Sequence, residues 1–102
     1  SINIGKQEAA VAAEVLKALG HPLRLQILFV LTAGKMHVGG IAEQLEVGQA
    51  IASQQLRILR SAGLVAAETE DGRAYYRIVE PQLFQMLNCV QNCVSKRVER
   101  GE

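Results

Sequence analysis

Cys89 and Cys93 stand four residues apart. On a helix that spacing puts both thiols on one face, with Cβ atoms roughly 5–6 Å apart. Three chemistries are open to such a pair. As small apolar side chains, the cysteines pack at an interface between helices. As thiolates, they bind a soft ion, Hg(II), As(III), Cd(II) or Zn(II): two thiolates suit linear Hg(II), whereas As(III) or Zn(II) needs another ligand, such as one from a partner subunit. As redox groups, they oxidise. A direct disulfide fits poorly, because it needs Cβ atoms about 3.8 Å apart. A bridge with extra sulfur atoms, or an oxidative link between two subunits, relaxes that limit.

The second group of residues with chemistry lies in Gly48-Gln49-Ala50-Ile51-Ala52-Ser53-Gln54-Gln55-Leu56-Arg57-Ile58-Leu59-Arg60. Gln pairs bidentately with adenine in the DNA major groove, Ser donates or accepts, and Ala touches a thymine methyl. Between Val47 and Ala67 the only charges are Arg57 and Arg60, so this stretch presents a local cation to phosphates. Gln49, Ala50, Ser53, Gln54, Gln55, Arg57 and Arg60 are therefore candidate DNA contacts, against the plainer reading of a Gln-rich surface helix. Arg73 joins them as a contact to phosphate or an adjacent minor groove, although Glu70 and Asp71 beside it also suit a solvated turn. His21 and His37 read as helix-start or surface residues, and Arg24 reads equally as a salt-bridge partner at the edge of the core.

Catalysis has no foothold. There is no phosphate-cradling glycine loop, no helix-borne pair of catalytic metal ligands of the His-Glu-x-x-His kind, and no Ser/His/Asp set with plausible geometry. The chain is expected not to be an enzyme and to bind no nucleotide cofactor.

These residues need elements to position them. Apolar residues at Ala10, Val11, Val15, Leu16 and Leu19 give Gln7 to Leu19 a helical period, and Gly20 stops it. Pro22 opens a second helix at the position where its missing N–H costs nothing; Leu23, Ile27, Leu28 and Leu31 form its buried stripe. Met36-His37-Val38 reads as a short extended piece. A brief third helix over Gly39–Leu45 and a turn at Glu46-Val47-Gly48 lead to a fourth helix from about Gln49 to Ala62. Ile51, Leu56 and Leu59 are expected to face inward there, and Gly63 closes the helix. Two helices joined by so short a turn form a helix-turn-helix signature.

Beyond Gly63 the period becomes extended. Leu64–Glu68 and Ala74–Ile78 flank Thr69-Glu70-Asp71-Gly72-Arg73, and Asp-Gly between β-favouring runs signals a hairpin. Glu80-Pro81 starts a last helix with Leu83, Phe84, Leu87, Val90 and Val94 along one stripe. The predicted order, three helices, a fourth, a hairpin and a last helix, is a mainly α winged helix-turn-helix domain with a small β-hairpin, spanning residues 1–102.

Composition sets the bounds. The 102 residues are 49% hydrophobic and 21% charged, which suits one globular domain with a modest core. Eleven basic against ten acidic residues leave a net charge of +1, so any nucleic-acid contact rests on a local patch. No apolar run approaches the roughly 18 residues that span a bilayer. Ser1-Ile2-Asn3-Ile4-Gly5-Lys6 lacks the basic-then-apolar order of a signal peptide. A cytoplasmic protein without membrane contact is expected.

His21-Pro22-Leu23-Arg24-Leu25-Gln26-Ile27-Leu28, Val38-Gly39-Gly40-Ile41-Ala42, Ser53-Gln54-Gln55-Leu56-Arg57-Ile58-Leu59-Arg60-Ser61-Ala62-Gly63-Leu64-Val65 and Gly72-Arg73-Ala74-Tyr75-Tyr76-Arg77 resemble the ArsR/SmtB family. The resemblance covers nearly the whole chain in the right order. It implies a small dimeric bacterial repressor that releases operator DNA when an inducer binds. The recognition helix would be Gln49 to Arg60, with Gln49, Ala50, Ser53 and Gln54 facing bases. The homodimer would form through the first and last helices (1–20 and 80–102) and bind a near-palindromic operator in double-stranded DNA.

The family's inducer sites carry over poorly. His37 falls where many metal-sensing members have a thiolate at the third helix. On the last helix, Glu80, Gln82, Cys93 and Lys96 are a poor set for zinc. Phe29 stands where persulfide-sensing members place a second-helix cysteine. The expected inducer is therefore a soft metal(loid) ion (Hg, As, Cd or Zn) or a thiol-reactive or sulfur species acting at Cys89/Cys93. The alternatives are a winged-helix protein-interaction module, or a repressor with purely structural cysteines and no small inducer.

Overall fold

A computed structural model describes residues 3–102; Ser1 and Ile2, the start of the signal-peptide reading and of the 1–20 segment, lie outside the described residues. Five helices and three short strands follow in the order α1 (Lys6–Leu19), α2 (Pro22–Leu31), β1 (Met36–His37), α3 (Val38–Leu45), α4 (Gln49–Ser61), β2 (Val65–Glu70), β3 (Arg73–Ile78) and α5 (Leu83–Glu99). Among the described residues no helix is long and apolar enough to cross a membrane.

Capping chemistry sets several of these boundaries. The Glu8 carboxylate accepts the Gly5 N–H at the start of α1. His21 precedes Pro22 as the N-cap of α2, and its Nδ1 accepts the Leu23 N–H at 3.1 Å. His37 caps α3 in the same way, its Nδ1 accepting the Gly40 N–H at 2.7 Å. Both histidines thus satisfy amides that helix starts leave without partners. Between α3 and α4, Glu46 adopts a left-handed conformation (φ 57°), which gives the connection its sharp turn.

The core gathers where all five helices meet the base of the sheet. Ile27, Leu28, Ile41, Leu56, Leu59, Leu64, Leu83 and Leu87 are fully buried. On α4 the inward stripe is Ala52, Leu56 and Leu59, a spacing of four and three residues. The expected inward residue Ile51 is instead exposed, because Ala52 and not Ile51 falls one turn before Leu56. On α5 only Leu83 and Leu87 of the expected stripe are buried. Phe84, Val90 and Val94 are exposed on the protomer.

The wing is tighter than its sequence suggests. Glu70 pairs with Arg73, so the five-residue loop expected between the strands shrinks to the two-residue turn Asp71-Gly72. Both residues have positive φ, 51° and 77°, the geometry of a type I′ hairpin turn. A third strand joins the hairpin: β1 pairs antiparallel with β3, Met36 opposite Tyr76 and His37 opposite Tyr75. Pro81 and Gln82 form a turn, so α5 begins at Leu83 and not at Glu80-Pro81; the Glu80 carboxylate accepts the Gln82 N–H just before it.

Candidate nucleic-acid interface

The helix-turn-helix presents the first turns of α4 outward. Gln49, Ala50, Gln54, Arg57 and Arg60 are exposed, and Ser53 is half-buried. A helical wheel centred on the buried Ala52/Leu56/Leu59 stripe puts Ala50, Gln54 and Arg57 on the opposite side, with Ser53 and Arg60 on one flank. No acidic residue interrupts α4. This face can donate and accept hydrogen bonds along its first half and neutralise phosphates along its second.

Gln55 is placed differently from its neighbours. It is half-buried, and its Oε1 accepts a hydrogen bond from Arg24 Nη1 at 2.9 Å. Arg24 also donates from Nε to the Ala18 carbonyl at 2.6 Å and from Nη2 to the Lys17 carbonyl at 3.2 Å. The expected salt bridge of Arg24 is therefore replaced by three neutral acceptors: two carbonyls at the C-terminus of α1 and an amide on α4. Gln55 serves the seam between helices, at the margin of the outward face.

Arg73 is exposed at the start of β3, next to the turn. It shares a cleft of about 450 Å³ with Gln49 at the start of α4 and with His37, Val38, Gly39, Glu43 and Ala74. The wing and the start of α4 thus border one concavity. The wing is also held from outside the hairpin. Lys35 pairs with Glu70 and lies 3.9 Å from Glu68, and its ammonium sits 5.6 Å from the Tyr75 ring centre. The hydrogen bond to Glu70 raises the Lys35 pKa, so the cation that anchors the wing stays charged throughout the neutral range. The His37 and Tyr75 rings lie 5.5 Å apart, joining the α3 cap to β3. Sequence reasoning missed Lys35 and Tyr75 as wing anchors; their partners lie more than 30 residues away along the chain or across it, and no local pattern marks them.

Cys89 and Cys93 are both exposed free thiols on α5. From Asn88 to Glu102 every residue is exposed, so the second half of α5 stands clear of the protomer body. Val90, Val94 and Val98 run along it at four-residue intervals, and α1 exposes Val11 and Leu16. Among the described residues no three His, Cys, Asp or Glu side chains converge on a common point. Within one protomer the cysteine pair therefore offers two sulfur donors, which suits two-coordinate soft ions; a third ligand has to come from another chain.

Comparison with known proteins places this architecture. The family model for bacterial regulatory proteins of the arsR family matches residues 21–67, from the cap of α2 into β2. The biofilm growth-associated repressor of Xylella fastidiosa is 34% identical over 85 residues, covering 83% of this chain and 75% of that protein. A homodimeric winged helix-turn-helix DNA-binding domain from Mycobacterium bovis, described as a possible ArsR-family regulator, superposes with a TM-score of 0.81 at 34% identity, covering 98% of this chain and 95% of that one. The AntR antimony-specific transcriptional repressor superposes with a TM-score of 0.84 at 26% identity, covering 98% and 90%.

Proposed function

Because the chain belongs to the ArsR family of bacterial transcriptional repressors, we propose that it binds operator DNA as a homodimer and releases it when Cys89 and Cys93 capture a thiol-seeking inducer. The observation that carries the DNA half of this reading is the acid-free outer face of α4, whose only charges are Arg57 and Arg60, on a helix whose first residue, Gln49, shares a cleft with the wing's Arg73. Gln49, Ala50, Ser53 and Gln54 read base edges, while Arg57, Arg60 and Arg73 neutralise phosphates. Gln55 holds the reading helix in place through Arg24.

The homodimer follows from α5. A helix end with an apolar stripe and nothing beneath it is marginal in water. A second copy covers Val90, Val94 and Val98 and brings two further thiols near the first pair. The arrangement in the M. bovis relative, a homodimer, supports this. The chemistry of the cysteine pair favours soft, thiophilic species: Hg(II), As(III) or Cd(II), the antimony that AntR is named for, or a sulfur donor that bridges two thiols. Zn(II) is served only with additional ligands from the partner. Such a species releases DNA only if it binds the DNA-free arrangement of the dimer more tightly than the bound one.

Fluorescence anisotropy on DNA from upstream of the chain's own gene tests both halves. Binding weakens steeply with salt, and Arg57→Ala with Arg60→Ala lowers the slope of log K against log salt by about 0.9 for each phosphate that the variant no longer neutralises. Titration with Hg(II), As(III), Cd(II), Zn(II) and an organic polysulfide releases the wild type with at least one agent and leaves Cys89→Ser/Cys93→Ser bound. Equal behaviour of the two proteins toward every agent reduces the cysteines to packing. Salt-independent binding, or none, overturns the DNA-binding reading itself.

A further inference from the structure

We propose that Ile51 reads a thymine: its side chain takes the 5-methyl group of the base beside the one that Gln54 contacts. This rests on the reading that α4 enters the major groove. Ile51 is the third residue of α4 and is 49% exposed, although it is one of the most apolar side chains in the chain. Several other exposed large hydrophobics of the helices have apolar company. Val90, Val94 and Val98 share one stripe of α5. Ile58 lines a groove with Val11, Val15 and Ala18. Ile51 lies instead on the flank of α4 opposite Ser53, beside the amides of Gln54 and Gln55 three and four residues on, with Ile58 two turns further along.

Local stability does not account for it. A β-branched residue at an exposed helix position loses rotamer freedom and is a poorer helix former than the Ala or Gln residues around it. Nor does a protein partner, because a specific protein interface covers about 800 Å² on each side, far more than one isoleucine flanked by Ala50. A single methyl group matches the patch in size and polarity. In the major groove, thymine is the base that carries one. Gln54 lies three residues on, and residues at that spacing are neighbours on a helix surface. The pair Ile51–Gln54 therefore offers a methyl contact and a bidentate amide side by side, the complement of adjacent thymine and adenine edges.

Deoxyuridine scanning tests this, since uracil differs from thymine only by the methyl. The wild-type chain selects its sequence from a random DNA pool, and each thymine of the selected site is then replaced in turn. At one thymine per half-site the replacement weakens wild-type binding about fourfold, the scale of one buried methylene. Ile51→Ala binds the thymine site more weakly by a similar factor, loses nothing further on replacement, and melts at or slightly above the wild-type temperature, because Ile51 lies outside the buried core and Ala is the better helix former. Ile51→Val keeps part of the discrimination. Salt-dependent DNA binding in which uracil costs Ile51→Ala as much as wild type, or in which no thymine is methyl-sensitive, overturns the role of Ile51 alone. Absence of any salt-dependent DNA binding overturns it together with the groove reading on which it stands.

Discussion

At the scale of single residues, Arg24 does the most with one side chain. Its guanidinium reaches the last carbonyls of α1 and the Gln55 amide of α4, joining three helices at a point behind the reading face. Arg24→Ala takes this donor from the Ala18 carbonyl and the Gln55 amide, while the Lys17 carbonyl keeps the Gly20 N–H, and a loss of about 1–3 kcal/mol is expected. For a domain of this size that corresponds to a fall in melting temperature of at least about 4 °C, measurable by circular dichroism. Arg24→Lys recovers only a fraction, because one ammonium cannot reproduce the planar fork that meets three acceptors at once. The sequence marked Arg24 as structural but pointed to a carboxylate. Backbone carbonyls at a helix end have no residue-type signature, and Gln55 lies 31 residues away, so the true partners were not legible. His21 and His37 were, because a cap is a local event: the donor amides lie two and three residues on.

Among the elements, the junction of β1 and α3 is the tightest. A Cβ on Gly40 would stand 2.9 Å from His37 Cε1 and 3.0 Å from Met36 Cγ. The His37 ring is held between its cap bond and Tyr75 and has little room to yield. Gly40→Ala is therefore expected to cost about 1–3 kcal/mol in urea unfolding, in the range of an overpacked core. Gly39→Ala meets only the Gln49 amide at 3.2 Å, the end of a flexible side chain, and costs less. Most elements were legible from periodicity and punctuation: Gly20, Pro22, Gly63 and Asp71-Gly72 each mark a real boundary or turn. The face of α4 was not. Hydrophobicity favours Ile51 over Ala52 for the core, whereas the four-and-three spacing to Leu56 and Leu59 selects Ala52. In a helix that must also present a surface to a ligand, the period decides and the ranking of side chains misleads. The third strand was legible only as an extended piece, since its partner Tyr75–Tyr76 lies across the fold.

For the whole molecule, the free half of α5 determines what one copy can do alone. Val90→Asp with Val94→Asp places charges on the stripe that a second copy would cover, and sedimentation is expected to report a monomer that keeps its helix-turn-helix. DNA affinity then falls by far more than one half-site's worth, since two linked half-sites bind with an effective concentration that separate halves lack. The two strand residues of β1 add a consequence for how such a pair works. They fasten the hairpin to the cap of α3, which packs in turn against α4. In the proposed mechanism each copy serves as one jaw of a caliper, from Arg73 to Arg60, and the gauge lies in the gap between jaws. On the proposed reading, inducer chemistry on α5 has no need to unfold or bend a jaw; it resets the pin on which both are mounted, and so changes the span while each jaw keeps its own fit to DNA.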